Sequence, residues 1–330
     1  KNTILFIYSL LEYYTQSQVS GDELFDFAEN VRGDSRIVSG WEAADGDIPW
    51  QISLRMVNPF GAVSACGGSV VHPEWAITAA HCTAGRISFV LRFGGVHLSL
   101  PLLLLETTDF FNHPSYNNNL PSVVQPNDIG LLKLNRVIPF SDRIQPINIQ
   151  LSSDKDRNYN GVRLMASGWG LTWTGGTSPT TLNWVYLVGD SNNVCSLSYG
   201  GSSIVQDSTI CASHYNVTSQ STCQGDSGGP LVAYDENSGK PVLVGVASFV
   251  SSQGCHAPLP AGFIRPGHFH DWFFEVTGVN FDVEDAWVSP RNSYDRHLNK
   301  FTRVSEKSQD DDPEKKSRKK LRILFVIFKI

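Results

Sequence analysis

An all-β protein of two packed barrels is what this sequence predicts, on three observations. Short apolar runs of strand length recur from Arg36 to about Val279, turn formers are plentiful with 28 Gly and 17 Pro, and long helical periodicities are scarce. Short strands separated by turn residues build sandwiches or barrels. The span is too long for one small barrel, so two fit better.

In chain order the runs are "WQISLRMV" from Trp50, "GGSVVHPEWAITAA" from Gly67, "RISFVLRFG" from Arg86, "IGLLKL" from Ile129, "VRLMASGWG" from Val162 and "PVLVGVASFV" from Pro241. These runs alternate regularly with turn residues, the spacing of a sandwich or barrel. "GHFHDWFFEV" from Gly267 reads instead as a short terminal helix that closes the domain.

The flanks differ in character. Residues 1–36 read as a leader: "KNTILFIYSLL" offers one lysine and a short apolar run, cut by Glu12, before a polar stretch. It fits a signal-peptide core or a buried apolar segment. After Val279 comes "EKSQDDDPEKKSRKK", a solvated and disordered charge run, and then "LRILFVIFKI". That apolar end is about half of the ~20 residues needed to span a bilayer. It fits an extension without a membrane role better than an anchor. The organisation expected is a leader and activation segment (1–36), a folded domain (37–279) and a tail (280–330).

Of 330 residues, 41% are hydrophobic and only 18% charged, which suits a loop-rich extracellular β protein. Residues 37–280 carry 11 Lys and Arg against 17 Asp and Glu. A mildly acidic domain argues against nucleic acid as its partner. All six cysteines lie between Cys66 and Cys255, with no CxxC pair and no zinc-ligand spacing. Their even number reads as three disulfides formed in an oxidising, secretory compartment. The residues alone leave the pairing open. No metal site and no cofactor is expected.

"STCQGDSGGP", from Ser221, sets Ser227 in a bed of glycines. Glycine is costly to order, so three of them around one serine need a reason. A serine hydroxyl becomes a nucleophile when a base takes its proton and a third group orients that base. His81 in "AITAAHC" and Asp128 in "PNDIGLLKL" supply candidates for both roles. "GDSGG" also satisfies the G-x-S-x-G elbow of α/β-hydrolases. That fold needs a helix after the serine and the order Ser, acid, His. Here the histidine and aspartate come first.

"RIVSG", "TAAHC", "NDIGLLKL" and "GDSGGP", in that order, resemble the chymotrypsin-like serine endopeptidases, and among them the invertebrate chymotrypsin and elastase-like members. The resemblance runs from Ile37 to about Val279. It implies two six-stranded antiparallel barrels with the active site between them, and the disulfides Cys66–Cys82, Cys195–Cys211 and Cys223–Cys255. It gives Ser227 as nucleophile, His81 as base, Asp128 as its orienting partner, and Ser248 as a support for Asp128. The amides of Gly225 and Ser227 then form the oxyanion hole, which explains the glycines: side chains there would block the approach of substrate.

The same resemblance implies a zymogen. Cleavage after Arg36 by a trypsin-like protease frees the α-amino group of Ile37, which pairs with Asp226. Ser39 and Gly130 depart from the family's usual glycine and alanine. Ser221 stands where trypsin-like members carry an aspartate for substrate Arg or Lys. A neutral hydroxyl cannot offset the burial of a guanidinium. Ser248, Phe249, Val250 and Ala261 line the corresponding pocket, and Val250 and Ala261 narrow it toward small or medium apolar residues, with Leu, Phe or Tyr left open. Asn216, in "NVT", is a glycosylation candidate or a plain surface asparagine. The partners implied are protein substrates, the activating protease and protein inhibitors, acting on a secreted monomer. The alternative is a catalytically silent homologue that binds a partner.

Overall fold

The computed structural model describes residues 40–216 and 220–287. The leader, Arg36, Ile37, Ser39, the last two residues of the Asn216 sequon and the chain beyond Trp287 lie outside the described residues. The described residues belong to one unit that ends at Trp287.

The chain opens with β1 (Trp41–Glu42) and then builds the first barrel from β2 (Gln51–Val57), β3 (Val63–His72), β4 (Trp75–Thr78), β5 (Ser88–Phe93), β6 (Leu103–Thr107), β7 (Phe110–Asn112) and β8 (Gly130–Lys133). All neighbours are antiparallel, in the order β6-β5-β2-β3-β4-β8-β7. Among the described residues no pairing joins the two ends of that path, β6 and β7, so this sheet is a half-barrel. Thr107 Oγ1, at the end of β6, donates to Lys133 O on β8 at 2.7 Å.

The second barrel follows with β9 (Asn148–Ile149), β10 (Arg163–Gly168), β11 (Asn183–Asp190), β12 (Thr209–His214), β13 (Pro230–Tyr234), β14 (Pro241–Phe249) and β15 (Ala261–Ile264). The order β11-β10-β13-β14-β15-β12 is closed by a β11–β12 pairing, with β1 added outside β11 and β9 beside β14. Closure removes the exposed strand edges that an open sheet would carry.

The expected runs therefore fall on strands. They look continuously apolar because several strands are buried on both faces. Along β10, Leu164 and Ala166 point into the second barrel with Val185, Leu187, Ile210 and Phe263. Met165 points the other way, into the core that joins the first barrel to the terminal helix. A one-residue slip would exchange these two faces, which fixes the register.

Three short helices complete the fold: α1 (Ala80–Thr83), α2 (Asn192–Ser198) and α3 (His270–Thr277). Ser191 caps α2 by accepting from Val194 N at 3.3 Å. The expected terminal helix is α3, which buries Trp272 and Phe273. Gly278 ends it with φ 70°, the left-handed conformation that glycine adopts without a Cβ clash. Past that cap, Phe281 is buried against His72 and Phe273. Asp282 accepts from Ser152 N at 2.7 Å, and Asp285 N donates to Asn148 Oδ1 at 2.8 Å. Residues 280–287 are thus packed on the domain. Among the described residues, no helix is long and apolar enough to cross a membrane.

The three disulfides are Cys66–Cys82, Cys195–Cys211 and Cys223–Cys255, as the family resemblance implied.

Candidate active site

The site forms where the barrels face each other. His81 lies on α1, a single turn whose other side chains are buried: Ala80 and Cys82 are inaccessible, and Cys82 is tied to Cys66 on β3. That anchoring leaves the imidazole partly exposed on a rigid turn. Asp128 opens the run into β8, after Asn127 takes a left-handed φ of 58°, a conformation Asn tolerates better than most residues.

His81 Nδ1 and Asp128 Oδ2 are 2.7 Å apart, and the His81 amide donates to Asp128 Oδ1 at 2.8 Å. Ser248 Oγ, on β14 of the second barrel, donates to Asp128 Oδ2 at 2.6 Å. Asp128 is almost fully buried, so its charge acts with little solvent screening. Burial pushes the His81 pKa down, but the charge and hydrogen bond of Asp128 outweigh it against a smaller opposing push from Arg86. The net shift is upward.

The loop carrying Ser227 is locked between the barrels. Gly67 N, on β3, donates to Ser227 O at 2.7 Å, and Gly228 N donates to Ala247 O at 2.7 Å. Gly228 has φ 77°, and a Cβ there would strike Thr78 Oγ1 and the backbone of Gly67 and Ala79. Only glycine lets this loop lie against the turn that leads to His81. The amides of Gly225 and Ser227 donate to no group among the described residues, and Gly225 has φ 103°. Ser227 Oγ makes no hydrogen bond to His81 Nε2 in this state; such bonds commonly tighten when substrate binds.

Asp226 is buried at 1% exposure. It accepts from Gly170 N at 2.7 Å and from Cys223 N at 2.9 Å. Burial pushes its pKa up to about 6, against the two amide bonds that pull it down. A Cβ on Gly168 or Gly170 would collide with this carboxylate. Sequence reasoning missed both glycines, although "SGWG" at residues 167–170 signalled a close backbone approach.

The trypsin family profile matches residues 37–273. The chain belongs to the trypsin family. It is 32% identical over 248 residues to a collagenase of Hypoderma lineatum, covering 75% of this chain and 90% of that protein. Over 248 residues it is 32% identical to chymotrypsin-like elastase family member 3A of Homo sapiens, covering 73% and 89% respectively. Over 255 residues it is 32% identical to proproteinase E of Bos taurus, covering 76% and 98%. The solved structure of the Hypoderma (HL) collagenase superposes with a TM-score of 0.65 at 31% identity, covering 74% of this chain and 99% of that one. The protein is a trypsin-fold serine endopeptidase whose relatives include chymotrypsin-like elastases.

In this protease the residues expected around the pocket are buried or half-buried. Ser221 is buried beside Gln220 and Thr222. Phe249 is nearly buried, meets Tyr199 edge-on at 5.4 Å, and lies over Gly262, where a Cβ would hit its ring. Half-buried Val250, like Leu171, packs on the Cys223–Cys255 disulfide. Ala261 is buried with Ala247 and Phe263. Asn216 N donates to Gln220 Oε1 at 2.9 Å, which ties it to the residue before Ser221. Cys66, His81 and Cys82 bring possible metal ligands together, but both sulfurs are spent in their disulfide.

Proposed function

We propose that this serine endopeptidase is secreted as a zymogen, activated by cleavage after Arg36, and cuts peptide bonds after apolar residues. The observation that carries the catalytic assignment is the hydrogen-bonded chain Ser248–Asp128–His81, which links the two barrels beside the glycine-bedded Ser227, whose carbonyl lies 3.6 Å from the sulfur of Cys82, the neighbour of His81. His81 takes the Ser227 proton as the hydroxyl attacks the scissile carbonyl and returns it to the leaving amine. Asp128 holds Nδ1 protonated, leaving Nε2 as the base. The free amides of Gly225 and Ser227 receive the oxyanion, each donor being worth roughly 3–4 kcal/mol of barrier.

Zymogen activation is supported by Asp226. A fully buried carboxylate with two amide partners keeps unused acceptor capacity, since its oxygens offer about four sites. An α-ammonium from Ile37 would use it. Secretion is supported by three disulfides, which persist in oxidising compartments. Apolar specificity is supported by the neutral, buried Ser221 and by Val250 at the pocket wall.

The test treats the full chain with trypsin, blocks the trypsin, confirms a new N-terminus at Ile37, and assays peptides that differ only in the residue before the cut. Cleavage after Ala, Val, Leu or Phe, with Ser227 labelled by an organophosphonate, supports the reading. Cleavage after Arg overturns the role of Ser221. Full activity before cleavage overturns the zymogen.

A further inference from the structure

Asn183 opens β11 at 0% exposure, and neither its Oδ1 nor its Nδ2 has a hydrogen-bond partner among the described residues. A buried amide with no partner is costly, on the order of several lost hydrogen bonds, and such groups are rare in native folds. Its burial alternates in phase with Val185 and Leu187, so the side chain faces the interior of the second barrel, while Trp184 and Tyr186 face outward.

Two registers locate it. Asn183 pairs directly with Gly168 on β10 and with Glu42 on β1. Directly opposed residues on one face of an antiparallel pair have their Cβ positions about 5 Å apart. At Gly168 the Cβ position is taken by the carboxylate of Asp226. The orphan amide and the carboxylate therefore lie near each other, both buried, without bonding to each other. Glu42 is exposed, Gly168 and Gly170 carry no charge, and Asp226 is the titratable group beside Asn183 among the described residues.

We propose that Asn183 is a positioning residue of the activation switch, its Oδ1 accepting one N–H of the Ile37 α-ammonium while Asp226 accepts the others. This rests on the zymogen reading above. Ile37 is four residues before Trp41, whose Cα partner is Trp184. Four residues reach about 13 Å when extended, enough to fold back to the neighbour of Trp184. An ammonium has three donors, and Asp226 already accepts two amides, so a third acceptor completes the socket. The amide is unpaired in the uncleaved arrangement and paired in the cleaved one, which makes its burial cost a bias toward activation.

Asn183→Leu keeps the volume and removes the acceptor, and Asn183→Ser keeps a smaller acceptor. Full-length chain of each variant is cleaved with trypsin. Two readouts follow: the rate at which cyanate carbamylates Ile37, and the pH of the alkaline activity limb. An acceptor stabilises the charged amine and raises its pKa, so losing it lowers that pKa and moves the limb down. Asn183→Leu should speed carbamylation about tenfold and lower the limb by about one pH unit, with Asn183→Ser intermediate. It should leave the thermal stability of the uncleaved chain unchanged or higher, since no bond is lost there. Unchanged carbamylation and limb in both variants, with Ile37 protected in the parent protein, would overturn the role of Asn183 alone. A parent protein whose Ile37 is unprotected after cleavage overturns the zymogen reading, and this proposal with it.

Discussion

Ser248 and His81 bind the same oxygen of Asp128, one from each barrel, at 2.6 and 2.7 Å. The imidazole of His81, the proposed base, is therefore oriented by a carboxylate that is itself held by the opposite barrel. Catalytic geometry and barrel docking are one arrangement here.

Removing either support has a signed consequence. The Ser248 hydroxyl draws charge from Oδ2, so Ser248→Ala leaves more of it for His81 and raises the imidazole pKa further above its ordinary value. His81 must be neutral to act, so kcat/KM falls as pH drops through that pKa. The acid limb of the profile should lie above pH 6.5 and move higher in Ser248→Ala, with kcat reduced about tenfold. Asp128→Asn should cost about 10⁴ in kcat through the wrong tautomer. A limb that stays in place in Ser248→Ala would detach Ser248 from the acid.

Asp226 should make the uncleaved chain less stable as pH rises. Its folded pKa of about 6 lies above the ordinary 3.8, so the native state holds a proton that the unfolded chain has already lost between those values. Stability falls across that window by about 3 kcal/mol and then levels off. Asp226→Asn removes this dependence. Urea unfolding of the uncleaved chain at pH 4 and pH 7, both with Ser227→Ala to prevent self-digestion, measures the difference. A constant gap between the two proteins would contradict it.

Val250 is the side chain on which apolar selectivity turns. It packs between the Cys223–Cys255 disulfide and the core beneath Ala261. Val250→Gly should raise kcat/KM for a Phe peptide relative to an Ala peptide by about tenfold or more, in line with the 1–3 kcal/mol carried by small volume changes in a pocket. An unchanged ratio would place the limiting wall elsewhere.

The disulfides should separate stability from catalysis. Cys195–Cys211 ties α2 to β12 and touches none of the proposed catalytic residues. Replacing both with Ala should cost about 3 kcal/mol and leave kcat of the folded enzyme unchanged. Cys66–Cys82 holds the turn of His81 against β3. Its removal should cost similar stability and also lower kcat at temperatures where the protein remains folded. Thermal melts paired with kcat on both double variants decide this.

The sequence by itself determined the strand runs, the terminal helix, the family and the candidates for the triad. These depend on local pattern: apolar runs of strand length bounded by turn residues, and glycines where backbone has to come close. It did not show that Gly168 and Gly170 make room for Asp226, or that Asn183 is buried without a partner. Those facts arise where strands β10 and β11 meet a loop some 40 to 60 residues later in the chain. Nor did the change of composition after Val279 reveal that Phe281 and Asp282 pack on the domain. One apolar side chain and one charge are enough to dock a segment when tertiary neighbours complement them. Local composition carries no trace of those neighbours, so the tertiary structure alone decided it.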